Sequence, residues 1–460
     1  MPRLRSAAAL SLLLASSPFL KAQTTASPTE RLVQEVATHG ELMPNLEHLC
    51  DDLGPRLTGS PRLRQAQAWA LAKLRAYGAT NVHEEAYELG RPWSRGLTRA
   101  RLLNANGQAL NLVQMAWTEG TKGVVRGDVA VLDVKTLAEF KALAPGLAGK
   151  VVLVRSRPRP TEEELKDLEG YRAEARKAWR QARMALALLP SDKTFGLHEM
   201  AGGPDMFYRE RAAFITQEDA HLLQRLLARG ITPRVEAELG GTFGKHPVKA
   251  YNVVGEIPGS ERPEEVVILG AHQDSWDLSP GATDNGAGTV VAMEVLRAYV
   301  ATGLKPKRTL RVVLFSGEEQ GLLGSKAYLA AHAAARDRIQ AVLVLDAGAG
   351  RVTGFVDMQV DAWAAALEKA LLPANALGAT DVPYAYSDGS DQASFAAQGV
   401  PAFSAVQDPG DYFTHTHHSQ VDTVDHVAKE DLVQATQVLA VTAWGLLHGE
   451  RLPHQVVTGK

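Results

Sequence analysis

The chain has 460 residues, more than one ordinary domain holds, so two domains are expected. Apolar residues make up 45% and charged residues 22%, the balance of a soluble globular chain and not of a disordered one. A formal net charge of −3, with no basic block anywhere, argues against a nucleic-acid partner.

Residues 1–22 read as a secretory signal: Arg3 and Arg5 precede the apolar run AAALSLLLASSPFL, and small Ala22 stands at a cleavage position. That run is well short of the roughly 20 residues a membrane span needs, so the expectation is export to a periplasmic or secreted location. No later stretch is long and apolar enough to span a membrane. Cys50 is the single cysteine and cannot form an internal disulfide; a small buried apolar role is expected. From about 28 to 75 the pattern is helix, a turn at GPRLTGSPR, then helix. The second helix places Ala66, Trp69, Leu74 and, near the edge, Leu71 towards one face and meets Gly78 as a C-cap. NVHEEAYEL follows as a strand, and Arg56 in the turn is expected to be solvated or structural.

The character changes between 89 and 248. GDVAVLDV and GKVVLVRSR are β-branched runs bounded by glycine, the mark of a smaller β-rich unit. Residues 161–189 read as one long charged helix with opposite charges four apart. His198 stands alone and is expected to serve structure. The block reads as an inserted accessory domain, leaving 28–88 and 249–450 as a discontinuous main domain. From 249 the chain alternates strand and helix, which implies an α/β fold with a mostly parallel sheet sandwiched by helices. VVILG (266–270) and LRVVLF (310–315) have the length of buried strands. Val290, Met293, Leu296 and Val300 mark a helix between them, and QAVLVLDAGAG and GVPAFSAVQ are further strands. DLVQATQVLAVTAWGLLHG closes the chain as a helix.

Polar residues collect where these strands end. His272 and Asp274 follow the first, Glu318 and Glu319 the second, and Asp346 the third, while Asp284 precedes the Gly-rich helix start. Ligands and bases in open α/β sheets gather at such carboxyl ends. A ligating histidine commonly donates its other ring N–H to a carboxylate, the place Asp274 would take beside His272. Asp284 can bridge two cations. Glu318 and Glu319 are neighbours whose side chains must diverge, so one can hold metal while the other stays free as a base. In THTHHSQVDT, His415, His417 and His418 compete for a further ligand position. Any one of these acids alone is better read as a helix cap or turn residue; their joint placement at successive strand ends points to a site.

In this order HxDS, GATDNGAG, GEEQGLLGS, LDAG and HSxxDT resemble the zinc metallopeptidases of family M28. HQDSWD, GSDQASFAAQGVPA and HHSQVDT look most like its carboxypeptidase Q (plasma glutamate carboxypeptidase) branch. The resemblance covers about 45–90 and 249–430, whereas 89–248 is only loosely similar to that branch's protease-associated insert. It implies a zinc-aminopeptidase-like fold and two Zn²⁺ per chain. His272 and Asp346 would hold one ion, Glu319 and His418 the other, with Asp284 bridging, Glu318 as general base and Asp274 orienting His272. It implies a small peptide substrate, exopeptidase or dipeptidase activity, a cis peptide at Asp284–Asn285, and room for a homodimer whose interface is not legible. Gln273 and Asn285 depart from the family pattern without removing a ligand, and Tyr384 and Tyr386 both stand where a carbonyl-polarising tyrosine is sought. A non-catalytic binding protein on this scaffold would have lost a ligand or the base, and here all six are present. Hydrolysis of an acylated amine or amino sugar is the competing enzymatic reading.

Overall fold

The computed structural model describes residues 26–204 and 210–457. The expected signal at 1–22 lies outside the described residues.

Two large sheets organise the chain. The first has seven strands: β1 (Thr80–Gly90), β2 (Val248–Ile257), β3 (Arg262–His272), β4 (Arg308–Phe315), β5 (Ile339–Val344), β6 (Val352–Phe355) and β7 (Ala402–Gln407). Their spatial order is β1-β2-β4-β3-β5-β7-β6. Pairs β4–β3, β3–β5 and β5–β7 are parallel, and the outer pairs are antiparallel. Every residue of β5 is buried, as a central strand covered on both faces requires, which is why AVLVL (341–345) is an unbroken apolar run. Strand β3 runs two residues beyond VVILG, so His272 is its last residue and not the first beyond it.

Helix Ala287–Thr302 packs against β3, β4 and the helices Pro28–His39 and Lys429–His448. Twelve of its sixteen residues are buried, so the face marked by Val290, Met293 and Leu296 is only part of an apolar cylinder. A second group, Leu323–Ala331 and Gln392–Ala396, packs on the sheet and on itself. In helix Pro61–Ala76 the buried face is Leu63, Ala66, Gln67, Ala70 and Leu74; Leu71 lies at its margin as expected, and Trp69 lies there too, contrary to the expected set. Cys50 is buried as expected, and burial pushes its thiol up to about 12.

The second sheet has eight strands drawn from residues 98–239. Short strands Trp93–Ser94 and Thr242–Phe243 pair antiparallel where the chain leaves and re-enters the first sheet. This unit is more than β-rich: helices Leu137–Leu143, Leu168–Gln181 and Gln217–Ala228 accompany three parallel pairings. The expected long helix over 161–189 is shorter, spanning Leu168–Gln181 after a 3₁₀ turn at Glu164–Asp167. Arg183 takes a left-handed φ of 49°, which breaks the helix and releases Leu186–Pro190 to form a buried strand.

Candidate metal centre

Five segments converge beyond the carboxyl ends of the parallel strands. His272 ends β3. Gly317, with φ 71°, turns the chain after β4 and delivers Glu318 and Glu319. Asp346 stands two residues past β5. Asp284 sits in the π-helical turn Ala282–Gly286, and a second such turn, Tyr412–Thr416, leads to His417 and His418.

His272 Nε2 lies 3.2 Å from Asp346 Oδ1 and 3.2 Å from Asp284 Oδ1. His418 Nε2 lies 2.9 Å from Glu319 Oε2 and 3.5 Å from Asp284 Oδ2. Asp284 therefore offers one oxygen to each histidine. Bonds of about 2.0–2.1 Å in a tetrahedral zinc site separate neighbouring ligand atoms by about 3.3 Å, close to the spacings in both groups. Asp284 Oδ2 and both carboxylate oxygens of Glu319 are buried without a hydrogen-bond partner. Buried carboxylate oxygens left bare are costly unless a cation meets them, so this donor set fits a pair of divalent ions.

The electrostatics match that crowding. Burial pushes the Glu319 carboxyl well above its ordinary range, aided by Asp284 and other carboxylates. Glu318 is pushed up by burial and then by Asp346, Glu319 and Asp391, against the pull of His272. Burial alone would raise Asp284, but the hydrogen bond from His272 and the charges of His418 and His272 hold it below the usual range. Burial would lower His272, yet Asp346, Asp274 and Asp284 together hold it well above the ordinary histidine value.

Around the ligating atoms lies a frame of hydrogen bonds. His272 Nδ1 is 3.0 Å from the Asp274 carbonyl and 3.6 Å from its carboxylate Oδ1, so the nearer acceptor is the backbone. Thr58 donates to the other Asp274 oxygen at 2.7 Å. The peptide between Asp284 and Asn285 is cis, as the family resemblance implies. Asn285 donates to the Leu345 carbonyl at 2.8 Å and accepts from Gly288 N–H at 2.8 Å. A Cβ at Gly288 would stand 2.4 Å from that carbonyl oxygen, so the helix can begin this close only with glycine there. Arg56 is fully buried and donates to the carbonyls of Gln273, Pro280 and Gly281, clamping the loop between β3 and Asp284.

The profile described as Peptidase family M28 matches residues 252–443. Carboxypeptidase Q of Bos taurus is 30% identical over 403 residues, covering 86% of this chain and 83% of that one. Carboxypeptidase Q of Xenopus laevis is 31% identical over 401 residues, covering 85% and 83%. The chain belongs to peptidase family M28. A solved structure described as a Peptidase M28 precursor from Shewanella amazonensis matches this M28 chain with a TM-score of 0.81 at 28% identity, covering 94% of this chain and 98% of that one. BSAP, a zinc aminopeptidase from Bacillus subtilis, shares the fold with a TM-score of 0.64 at 19% identity, covering 90% and 94%.

In this M28 chain a cavity of about 610 Å³ opens over the cluster, lined by Asp284, Glu318, Glu319, Asp346, His417 and His418 among others. Asp274 lies beneath, fully buried. Of the competing histidines, His415 turns outward to stack with exposed Phe195 at 6.4 Å, while His417 and His418 face the cavity. Tyr384 is 63% exposed, and neither it nor Tyr386 lines the cavity; among the described residues the lining tyrosine is Tyr412. Asp422 has no role in the sequence reading, although HSxxDT contains it. Its carboxylate accepts from Thr283 N–H at 2.7 Å, the Thr283 hydroxyl at 2.8 Å and Asp284 N–H at 3.0 Å. His198 comes from the second sheet's unit; its backbone N–H donates to Gln420 Oε1 at 2.9 Å, while its ring Nδ1 is buried without a hydrogen-bond partner among the described residues.

Proposed function

We propose that the protein is an exported dinuclear zinc exopeptidase that hydrolyses dipeptides or short peptides. The observation that carries this reading is Asp284 shared between two histidine–carboxylate groups, with Asp284 Oδ2 and both Glu319 oxygens buried and without hydrogen-bond partners. In this reading His272 and Asp346 would hold one zinc and Glu319 and His418 the other, with Asp284 placed to contribute to both. Residues 28–88 and 249–450 form the peptidase domain, and 89–248 is an inserted unit of protease-associated type.

Bound zinc supplies a Lewis acid that acidifies water and polarises the scissile carbonyl. Glu318 lines the cavity beside these groups and is left free to act as general base. It takes a proton from the attacking water as the C–O bond forms, and the carbonyl π pair moves onto oxygen. The same proton passes to the leaving nitrogen as the C–N bond breaks. Asp274 supports His272 through its carbonyl and carboxylate.

Metal analysis of purified protein, with a panel of unblocked dipeptides and their N-acylated counterparts, tests the proposal. Two zinc equivalents and cleavage of the unblocked peptides are expected. One metal per chain in active protein refutes the dinuclear site, and turnover of only acylated amines refutes the peptide substrate.

A further inference from the structure

We propose that Arg95, where the chain enters the second sheet's unit, is a positioning residue for His418, acting through its ion pair with Asp277 and the neighbouring Trp276 ring. This rests on the dinuclear reading above and adds a support to one of its two metal groups. HQDSWD gives His272 and Asp274 to the centre and leaves Trp276 and Asp277 without a duty. Both stand on the loop between β3 and Asp284, and both meet the second unit. Arg95 Nε donates to Asp277 Oδ2 at 2.7 Å and Nη2 to Oδ1 at 2.8 Å, a fork that fixes direction as well as distance. The two side chains are only 12% and 14% exposed, so water and salt screen the pair weakly. The remaining nitrogen, Nη1, donates to the carbonyl of Gln114, in the second-sheet strand Leu112–Gln114. The guanidinium also stands 5.0 Å from the centre of the Trp93 ring. One side chain therefore ties the second sheet to the loop that leads to Asp284.

Trp276 carries that tie to the centre. It is buried in a cluster with Trp93, Trp117 and Met200. Its ring meets the His418 ring edge-on, with centroids 5.7 Å apart and planes inclined by 72°. Its indole N–H is buried without a partner among the described residues, so no hydrogen bond of its own aims the ring. The direction comes from packing and from the backbone, which the fork at the next residue holds. His418 needs such help. A ligating histidine is commonly aimed by a hydrogen bond at its second nitrogen, and His272 has one, from Nδ1 to the Asp274 carbonyl. Among the described residues no hydrogen bond reaches the second nitrogen of His418, whose Nε2 faces Asp284 and Glu319. Packing holds its ring instead, against Trp276 and the stacked ring of His417. A disturbance at Asp277 is stopped before Asp274, because Arg56 grips Ser275 twice. The Arg56 carbonyl accepts Ser275 N–H at 3.2 Å, and the Arg56 N–H donates to the Ser275 hydroxyl at 3.0 Å. Loss of the fork thus reaches the Glu319–His418 group and spares the His272–Asp346 group.

The test titrates zinc chloride calorimetrically into the metal-free full chain and into Arg95→Met, Asp277→Asn and the double variant. Imidazole NMR signals, assigned with His272→Gln and His418→Gln, are recorded before zinc is added. Arg95→Met should weaken one of two zinc steps about tenfold, the lower end for losing an outer support of a metal site, and leave the other unchanged. It should move the His418 signals and leave those of His272 in place. Asp277→Asn should do the same, and the double variant should lose no more than either alone, because the two residues act as one pair. Arg95→Lys, which keeps the charge without the fork, should show the same selective loss at smaller size and serves if the methionine variant fails to fold. Arg99→Met, taken from a pair whose arginine is 64% exposed, should change neither readout. Equal weakening of both zinc steps, or additive losses in the double variant, would reduce Arg95 to general stability and overturn the proposal. Unchanged zinc steps with unmoved His418 signals would overturn it too. A wild-type chain that binds one zinc would overturn the dinuclear reading instead, and the His418 signals alone would then decide the role of Arg95.

Discussion

Arg56 offers a stringent test of how the centre is held, because it touches none of the ligating atoms. Its guanidinium is fully buried and has no carboxylate within ion-pair distance among the described residues. Nε donates to the Gln273 carbonyl at 2.8 Å, Nη2 to Gly281 at 2.9 Å and Nη1 to Pro280 at 2.5 Å, with a longer contact to Gly54 at 3.4 Å. Arg56→Met keeps most of the apolar stem and deletes the fork. Each carbonyl left bare costs about 1–3 kcal/mol, and three are strongly engaged. Removing a buried cation returns part of that, since its desolvation was itself unfavourable. A net loss of about 3 kcal/mol is expected, measured as a shift in the urea unfolding midpoint of the apo-protein. Zinc affinity should fall by about tenfold, the lower end for losing an outer support of a metal site, because the freed loop runs from His272 to Asp284. Arg56→Lys, with one point-like donor, should fall between. A variant within about 0.5 kcal/mol of wild type, the range of an ordinary surface substitution, with zinc affinity intact would refute the claim that this clamp positions the centre.

Further outcomes follow from the same geometry. Glu318→Gln should lose at least about 10²-fold in kcat with zinc retained, whereas Glu319→Gln should weaken zinc binding; exchanged phenotypes in metal analysis and kinetics would reverse the two roles. Asp422→Asn must set an amide N–H against one of three donors, so zinc affinity should drop by about tenfold with Glu318 untouched, read by competition with a chelator. The Cys50 thiol, buried and pushed up to about 12, should be silent to a thiol reagent at pH 8 in the native protein and react fully in denaturant.

The parts legible in the sequence are those fixed by local rules. Apolar runs of strand length locate β3, β4 and β5, and the acids beyond them fall where parallel strands deliver side chains. Arg56 was not legible as a clamp, because charged residues are rarely fully buried and its acceptors lie more than two hundred residues away. Asp422 is hidden for a similar reason: two of its three donors are backbone N–H groups, which leave no trace in residue identity, and the third, the Thr283 hydroxyl, lies 139 residues away. Leu186–Pro190 reads as the tail of the preceding helix, since a short apolar run has the same appearance in either state. Only its pairing with Val151–Val154 and Ala212–Ile215 decides for a strand.

That second unit is more than an attachment, because it touches His418, the most exposed of the five proposed ligands. Met200 N–H donates to the His418 carbonyl at 2.8 Å, and His198 N–H holds Gln420 two residues on. Lys193, also from this unit, donates to the Phe413 carbonyl at 3.2 Å on the other side of the paired histidines. His418 sits at positive φ on a loop outside the sheet, where no strand fixes its direction. His272, by contrast, ends a strand paired on both sides. The sheet alone can therefore aim His272 and Asp346, but the direction of His418 depends on contacts that reach in from residues 193–200. A displacement of about 1 Å at a reacting group can cost on the order of 10²-fold in rate. The second unit thus belongs to the apparatus that shapes the proposed centre, although it contributes none of the six proposed ligand and base positions.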